Sequence, residues 1–317
     1  MTTAATDRAR ETTAPTTDWL ALGAALVTVV LWASAFVGIR AVADDLDPGP
    51  FAFGRLLVAS AALALLVAIR RPAMPQTQRE WLLIGASGVV WFGLYFLVLN
   101  AGEGLVDAGT AAMLVNVGPI LIAILAGVFL QEGFPPRLLI GSIIAFSGTI
   151  VIAAATGIGG VGEAAPVGVL LCLAAAVAYA AGVTIQKPAV RTVPALTVTA
   201  IACWVGTLVT LPFSIGLAGA AADGALNGET IAWIVYLGVF PTAVGFVTWA
   251  FALNRTSAGR LGSTTYLVSP IAIVMAWLLL GEVPPVLAIL GGALAILGVV
   301  VARGSGRPAL SLRRRPA

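Results

Sequence analysis

Long apolar runs separated by short polar segments dominate the chain, and the runs lack the alternation of apolar and polar residues that marks a barrel strand. A membrane-spanning helix needs about 20 mostly apolar residues, because each residue adds about 1.5 Å across a hydrocarbon core about 30 Å thick. The runs therefore predict an all-α, polytopic membrane protein with ten transmembrane helices. The predicted helices cover residues 19–40, 50–69, 81–100, 108–130, 136–155, 166–186, 194–217, 231–253, 258–280 and 285–303.

The first run allows one alternative, a cleaved signal peptide, because Ala33-Ser34-Ala35 resembles a cleavage site after an apolar stretch. The uncharged stretch from Trp19 to Ile39 is longer than the roughly 7 to 15 residues of a signal-peptide core, which favours a spanning helix. The predicted organisation is a disordered N-terminal tail at 1–18, a first five-helix unit at 19–155, a Gly-rich linker at 156–165, a second five-helix unit at 166–303 and a basic tail at 304–317.

The composition agrees with lipid as the solvent. Of the 317 residues, 60% are hydrophobic and only 10% are charged, whereas soluble proteins carry about 25% charged residues. The formal charge of +3 does not indicate a nucleic-acid partner here, because the basic residues lie at the ends of apolar runs and in the last residues. The expected surroundings are therefore a lipid bilayer and no nucleic acid.

The distribution of Lys and Arg predicts the orientation. With a cytoplasmic N-terminus, 15 of the 17 basic residues fall in inner segments, and only Arg40 and Arg55 lie on or near the outer side. Basic loops are retained on the cytoplasmic side of a membrane. The pattern predicts a multi-pass protein of the cytoplasmic (inner) membrane with both termini in the cytoplasm.

Ordered matches between the two halves indicate an internal duplication. Because five helices is an odd number, the second copy must enter the membrane from the opposite side, and inverted repeats of this kind hold substrate near the midplane between them. Four residues recur 150 positions further on: Glu132, Gly141, Ala145 and Gly148 match Glu282, Gly291, Ala295 and Gly298. Pro119 also matches Pro270 with a slip of one residue, and Trp32 and Arg40 match Tyr179 and Lys187.

These features resemble the EamA-like family of the drug/metabolite transporter superfamily. The resemblance is carried by Leu31-Trp32-Ala33-Ser34-Ala35-Phe36 with Arg40, by Pro48 with Arg55, and by two copies of an apolar helix with a central Pro, then a Glu, then a Gly-xxx-Ala-xx-Gly helix. In the first copy Leu130-Gln131-Glu132 departs by one residue from the family pattern that Leu280-Gly281-Glu282 fits. The resemblance covers residues 20–303. It implies a ten-helix basket around a central cavity, and substrates such as amino acids, their metabolites, sugars or other small polar compounds.

Neutral polar and aromatic residues near the helix centres are the candidate substrate contacts. Pro119 and Pro270 predict helix kinks, since proline removes a backbone donor and frees a carbonyl. Asn116 lies three residues before the first proline, and Tyr266 and Ser269 precede the second. The full predicted substrate-binding set for the central cavity is Trp32, Tyr95, Asn116, Tyr179, Trp249, Tyr266 and Ser269, and Trp204 is a further aromatic candidate.

Charged residues give fewer candidates. Arg55 is the one clear intramembrane charge, and it either attracts an anionic substrate or anchors its helix by snorkelling or by pairing with Asp44, Asp45 or Asp47. We expect the anchoring role. Glu132 and Glu282 precede Pro-Pro pairs at the start of the next helix, which favours a structural role at the positive end of the helix dipole.

The first helix has no carboxylate, although small relatives in the superfamily use one there to exchange substrate for protons. We therefore expect no proton exchange at that site.

The prediction is a secondary transporter that moves a small polar metabolite, an amino acid or a derivative, across the cytoplasmic membrane by alternating access, with export as the expected direction. The rival classes are a non-transporting receptor or scaffold and an intramembrane enzyme. An enzyme is disfavoured because the chain has no His and its two Cys residues are isolated within apolar runs. We expect no catalytic residues, no metal and no cofactor. The expected partner is a small-molecule substrate, and the sequence does not decide between a monomer and a homodimer.

Overall fold

The protein is all helical over the residues that its computed structural model describes, which are 18–42, 45–103, 105, 111, 114–156, 165–280 and 285–304. The first half contains α1 (Trp19–Val42), α2 (Pro48–Arg70), α3 (Gln78–Ser87), α4 (Tyr95–Glu103), α5 (Gly118–Phe129) and α6 (Pro136–Thr156). The second half contains α7 (Ala165–Ala189), α8 (Ala195–Thr210), α9 (Ser214–Ala222), α10 (Gly228–Leu237), α11 (Gly245–Arg255), α12 (Ala258–Thr264), α13 (Val268–Leu280) and α14 (Val286–Arg303). Nearly all of the predicted tails and of the predicted linker lie outside the described residues.

Seven of these helical stretches are long and apolar enough to cross a membrane among the residues described. Many large apolar side chains on their outer surfaces are exposed, including Leu65, Leu170 and Leu278. Exposed apolar surface of this extent requires a hydrocarbon solvent. The chain is therefore a multi-pass membrane protein. The seven stretches are Pro48–Arg70, Gln78–Gly102, Pro136–Ala155, Pro166–Ala189, Ala195–Ala222, Gly228–Arg255 and Val286–Arg303, and shorter apolar helices cover Trp19–Ala35 and Gly118–Phe129.

Polar caps make two helices begin three residues earlier than the apolar runs predict. Thr77 accepts a hydrogen bond from the Glu80 amide, and the Glu80 carboxylate accepts one from the Thr77 amide, which starts α3 at Gln78. The Asn227 side chain accepts two amide bonds at the start of α10. Each cap satisfies donors that the first helical turn leaves without intrahelical partners. A prediction from apolar runs alone does not include these polar capping residues.

Two π-helical turns interrupt the long helices of the bundle at matching places. Gly88–Leu94 joins α3 to α4, and Gly238–Val244 joins α10 to α11. Both turns have seven residues and are separated by 150 positions, the same spacing as the sequence repeat. Turns of this kind are frequently found at functional sites. They are a structural sign of the duplication that the sequence predicts.

The glycine-rich faces of α6 and α14 pack directly against each other. A Cβ at Gly141 would lie 2.5 Å from the Gly298 carbonyl oxygen, and one at Gly148 would lie 2.5 Å from the Gly291 carbonyl oxygen. Since lower numbers in α6 meet higher numbers in α14, the two helices run antiparallel. The prediction that these faces allow close approach to a neighbour is confirmed, and the neighbour of each face is the other one.

Contacts at helix termini define the two ends of the bundle. At one end, Asp18 forms an ion pair of 3.2 Å with Arg255 at the end of α11. The Ala21 amide, together with Arg255, holds the pKa of Asp18 below its usual value. At the opposite end, Thr230 donates a hydrogen bond of 2.6 Å to Asp45. The end with Asp18, which we call the basic end, carries Arg70, Arg79, Lys187, Arg191, Arg255 and Arg260.

Candidate functional site

A cavity of about 120 Å³ lies between helices of the two halves. Its lining comes from α1, α2, the first π turn, α4 and the turn before α5 in the first half, and from α7, α11, the 3₁₀ turn at Thr265–Leu267 and α13 in the second. The cavity sits between the middle of the bundle and the end opposite the basic end, because it is lined by Ile39 late in α1 and by Arg55 early in α2. The sequence-predicted residues on its surface are Trp32, Arg55, Tyr95, Asn116, Tyr179 and Ser269.

Aromatic rings form one wall of the cavity. Trp32 lies in edge contact with Trp91 at 6.4 Å and with Tyr179 at 6.5 Å between ring centroids. The Trp32 indole N–H donates a bond of 3.2 Å to the Pro241 carbonyl, which fixes the ring against the second π turn. A wall of indole and phenol faces offers contact to apolar groups and to cations.

Two of the predicted contact residues do not reach the cavity surface. Trp249 stacks on Trp32 with centroids 5.0 Å apart, but its side chain is 0% exposed. Tyr266 is also 0% exposed and packs against Ala145 and Val299. Neither residue lines the cavity, because each ring is buried against side chains that include residues of the first half, Trp32 for Trp249 and Ala145 for Tyr266.

Arg55 is held inside the bundle at the cavity surface and is only 5% exposed. Its Nε donates a bond of 2.7 Å to the Thr242 hydroxyl, and its guanidinium lies 4.8 Å from the centroid of the Phe96 ring. Thr242 in turn donates to the Leu237 carbonyl, a bond that the π turn makes available. These contacts direct the guanidinium inwards rather than towards the membrane surface. Of the acidic partners considered from the sequence, Asp45 accepts from Thr230, and Asp44 lies outside the described residues.

The polar part of the cavity includes a hydrogen bond between the two halves. The Asn116 amide donates to the Ser269 hydroxyl at 3.3 Å. Asn116 lies in a turn just before α5, and Pro119 is near the start of that helix rather than in its middle. In the second half, a 3₁₀ turn at Thr265–Leu267 precedes Pro270. Each proline therefore follows an interruption of the helix, and the interruptions place polar side chains beside the cavity.

Sequence reasoning missed several residues of the site. For the missed residues within the two π turns, the sequence signal is the glycine that begins each turn, Gly88 or Gly238, because hydropathy does not distinguish π from α turns. Gly88 leaves no room for a side chain, since a Cβ there would lie 2.6 Å from the Ala202 carbonyl oxygen. The missed residues are Trp91, Phe96, Asn100, Phe246 and Thr265 on the cavity surface and Thr242 behind Arg55.

Trp204 makes a different contact from the one predicted. Its indole N–H donates to the Ser60 carbonyl at 3.1 Å, which ties α8 to α2. It does not line the cavity. The two cysteines, Cys172 and Cys203, are both buried.

A cavity shared between two similar sets of apolar helices is the architecture of a membrane transporter. The sequence model of the EamA-like transporter family matches residues 19–154 and again residues 166–304. The chain belongs to the EamA-like transporter family, which confirms the resemblance found in the sequence and indicates a transporter rather than an enzyme.

Individual relatives carry more specific names. A probable terminal-alkyne amino-acid exporter of Streptantibioticus cattleyicolor is 39% identical over 286 residues, covering 89% of this chain and 92% of that protein. A probable amino-acid metabolite efflux pump of Salmonella typhimurium is 26% identical, covering 87% of this chain and 92% of that protein. A solved structure titled only as a crystal structure of a protein superposes with a TM-score of 0.72 at 19% identity, over 89% of this chain and 96% of that one. That likeness shows the fold.

Proposed function

We propose that this protein exports a small amino acid or an amino-acid derivative across the cytoplasmic membrane by alternating access. The observation that carries the proposal is the buried Arg55 guanidinium at the surface of an aromatic-walled cavity shared by the two halves. Relatives named as amino-acid exporters and efflux pumps support the substrate class and the direction.

The proposed architecture is ten spanning helices in two inverted five-helix repeats. The α6–α14 contact supports it, because the contact is nearly two-fold symmetric. Gly141 faces the Gly298 carbonyl, and the equivalent residue Gly291 faces the Gly148 carbonyl. A symmetric, antiparallel contact between equivalent helices is what an inverted repeat produces. The proposed orientation, with both termini in the cytoplasm, places the basic end on the inner side.

Arg55 supplies the proposed recognition of the substrate carboxylate. Its Nε donates to the Thr242 hydroxyl, which helps to hold the guanidinium in one orientation at the cavity surface. Hydrogen bonds between charged partners are about twice as strong as neutral ones, and the apolar surroundings strengthen them further. From the sequence, Arg55 had two alternative roles, contact with substrate or anchoring of its helix, and the anchoring role was expected. Its position on the cavity surface favours the substrate contact.

The aromatic wall supplies the proposed site for the rest of the substrate. Trp32 and Tyr179 present ring faces or edges to the cavity, which suit an apolar side chain or an ammonium group. A cavity of about 120 Å³ is slightly smaller than the 150 Å³ engineered cavity that holds benzene. This size favours a small amino acid over a peptide or a large drug.

Transport by reconstituted protein tests the proposal. Proteoliposomes containing the purified protein should take up labelled small amino acids, and amino alcohols that lack the carboxylate should not compete. Arg55→Met should reduce transport roughly 10- to 100-fold, the effect of losing a charge-assisted hydrogen bond. Arg79→Met, a change of the same kind at an exposed position near the start of α3, serves as the control. Equal competition by amino acids and amino alcohols, or full transport by Arg55→Met, would contradict the proposal.

A further inference from the structure

The junction between α11 and α12 is held from two sides at the basic end. The Lys187 ammonium at the end of α7 donates to the carbonyl oxygens of Leu253 and Thr256. The Glu132 carboxylate accepts from the Ala258 amide at 3.0 Å and from the Gly259 amide at 3.3 Å. One charge comes from each half of the chain, and both bind the same short segment.

Each charge binds the helix terminus that it favours. The last carbonyls of a helix lack intrahelical partners and attract a cation, and the first amides of a helix attract an anion. Lys187 binds where α11 ends, and Glu132 binds where α12 begins. Because Lys187 is only 4% exposed, its charge depends on these carbonyls for solvation. The arrangement therefore fixes the position of the junction more firmly than an exposed ion pair could.

This junction lies between the cavity and the basic end. Tyr179, which lines the cavity, precedes Lys187 by eight residues on α7, a distance of about 12 Å along the helix. At the same end, Asp18 pairs with Arg255, the last residue of α11. The segment that Lys187 and Glu132 hold therefore lies on the basic-end side of the cavity.

The face of α7 between the cavity and the junction contains an unusual buried group. Tyr179, Val183 and Gln186 share one face, since they are spaced four and three residues apart. The Gln186 side chain is 0% exposed, and neither its amide nitrogen nor its amide oxygen has a hydrogen-bond partner. A buried polar group without a partner is unfavourable. Entry of water along this face would provide the missing hydrogen bonds. The unsatisfied Gln186 side chain therefore destabilises the closed arrangement relative to one in which water reaches this face.

We propose that Lys187 and Glu132 form a gate that closes the cavity towards the basic end, and that release of the Leu253–Gly259 segment opens a path along the Val183–Gln186 face of α7. This inference rests on the proposed transport function. Its test requires no substrate, so its failure is distinguishable from a failure of the transport assay.

The test is cysteine accessibility at Val183. A variant without the native cysteines, carrying Val183→Cys, is treated with a membrane-impermeant maleimide in right-side-out and in inverted vesicles. Val183 is 0% exposed, so slow labelling is expected from both sides. Lys187→Met or Glu132→Gln should raise labelling from the basic side by about tenfold or more, because the closed state loses its bonds. A single cysteine replacing the exposed Arg191 identifies which side of the membrane that is.

Conservative variants separate gating from loss of fold. Lys187→Arg keeps the charge and should keep Val183→Cys protected, and Arg191→Gln should change nothing. All variants are compared only where they elute as a single species in size-exclusion chromatography. If both gate variants fold and Val183→Cys stays protected, or if labelling rises from the opposite side only, the proposed gate is wrong. If Lys187→Met and Glu132→Gln both fail to fold while Lys187→Arg folds, rapid labelling of Val183→Cys in the Lys187→Arg protein would also overturn the proposal.

Discussion

Replacing Gly298 with alanine should destabilise the protein, because the contact between α6 and α14 leaves no space for a side chain. A Cβ at this position would lie 2.2 Å from the Ala145 nitrogen and 2.6 Å from the Gly141 carbonyl oxygen. Carbon atoms in ordinary contact are about 3.5–4.0 Å apart, so the helices must separate by about 1 Å. The opposing atoms belong to the backbone, and no change of rotamer relieves the clash.

The expected size of the effect follows from this geometry. Overpacking a well-packed site costs about 1–3 kcal/mol, and the upper part of that range applies because the backbone must move. Each kcal/mol lowers the Tm of a large domain by roughly 2–4 °C, so a loss of about 5 °C or more is expected. Gly148→Ala should behave alike, since its Cβ would lie 2.4 Å from the Ala295 nitrogen.

A matched glycine elsewhere provides the control. Gly23 in α1 has no atom within 4 Å of the position that a Cβ would take, so Gly23→Ala should leave the Tm unchanged or raise it through helix propensity. The measurement is the fraction of purified protein that stays monodisperse after heating in one detergent, followed by size-exclusion chromatography. If Gly298→Ala and Gly23→Ala unfold at the same temperature, the direct backbone contact between α6 and α14 is refuted.

Three further outcomes are expected. Trp32→Phe should lower amino-acid uptake into proteoliposomes several-fold, because the ring loses its bond to Pro241. Trp204→Phe should leave uptake unchanged, because that ring does not line the cavity. Equal losses of uptake in both variants would contradict the position of the cavity. Asn116→Ala and Ser269→Ala remove the same hydrogen bond, so a double-mutant cycle should give a coupling of about 1 kcal/mol in thermal stability, and strictly additive effects would count against the bond. A small maleimide should label neither native cysteine in folded protein and both in dodecyl sulfate, since both thiols are buried; rapid labelling of the folded protein would show a more open bundle.

Hydropathy and spacing predicted the features that depend on the chain alone. The apolar runs predicted the membrane class, and the Gly141-xxx-Ala145-xx-Gly148 pattern predicted a helix face for close packing. The partner of that face could not be predicted, because Gly291 and Gly298 lie in a helix about 150 residues away and the same pattern suits any neighbour. The matched pair is visible only once the two halves are placed together.

The candidate site was less predictable, because its composition depends on how each helix is rotated. Trp249 and Trp32 have similar sequence surroundings, yet one ring is buried behind the other. Glu132 was expected at the start of the helix that follows it, and its carboxylate instead binds the start of α12, 126 residues further along the chain. The type of partner, a helix N-terminus, was foreseen from the chemistry of the carboxylate, and the identity of that helix required the tertiary structure.

The two π-helical turns make the cavity sensitive to the length of the chain as well as to its side chains. A π turn accommodates one residue more than an α-helical turn, so deleting that residue would restore a regular α-helix and change the direction in which the side chains within the turn point. Trp91 and Thr242 lie within these turns. The loss of a single residue from either turn would thus move the Trp91 indole away from the cavity wall or the Thr242 hydroxyl away from Arg55. The hydropathy of the helix, which determines its insertion in the membrane, would not change.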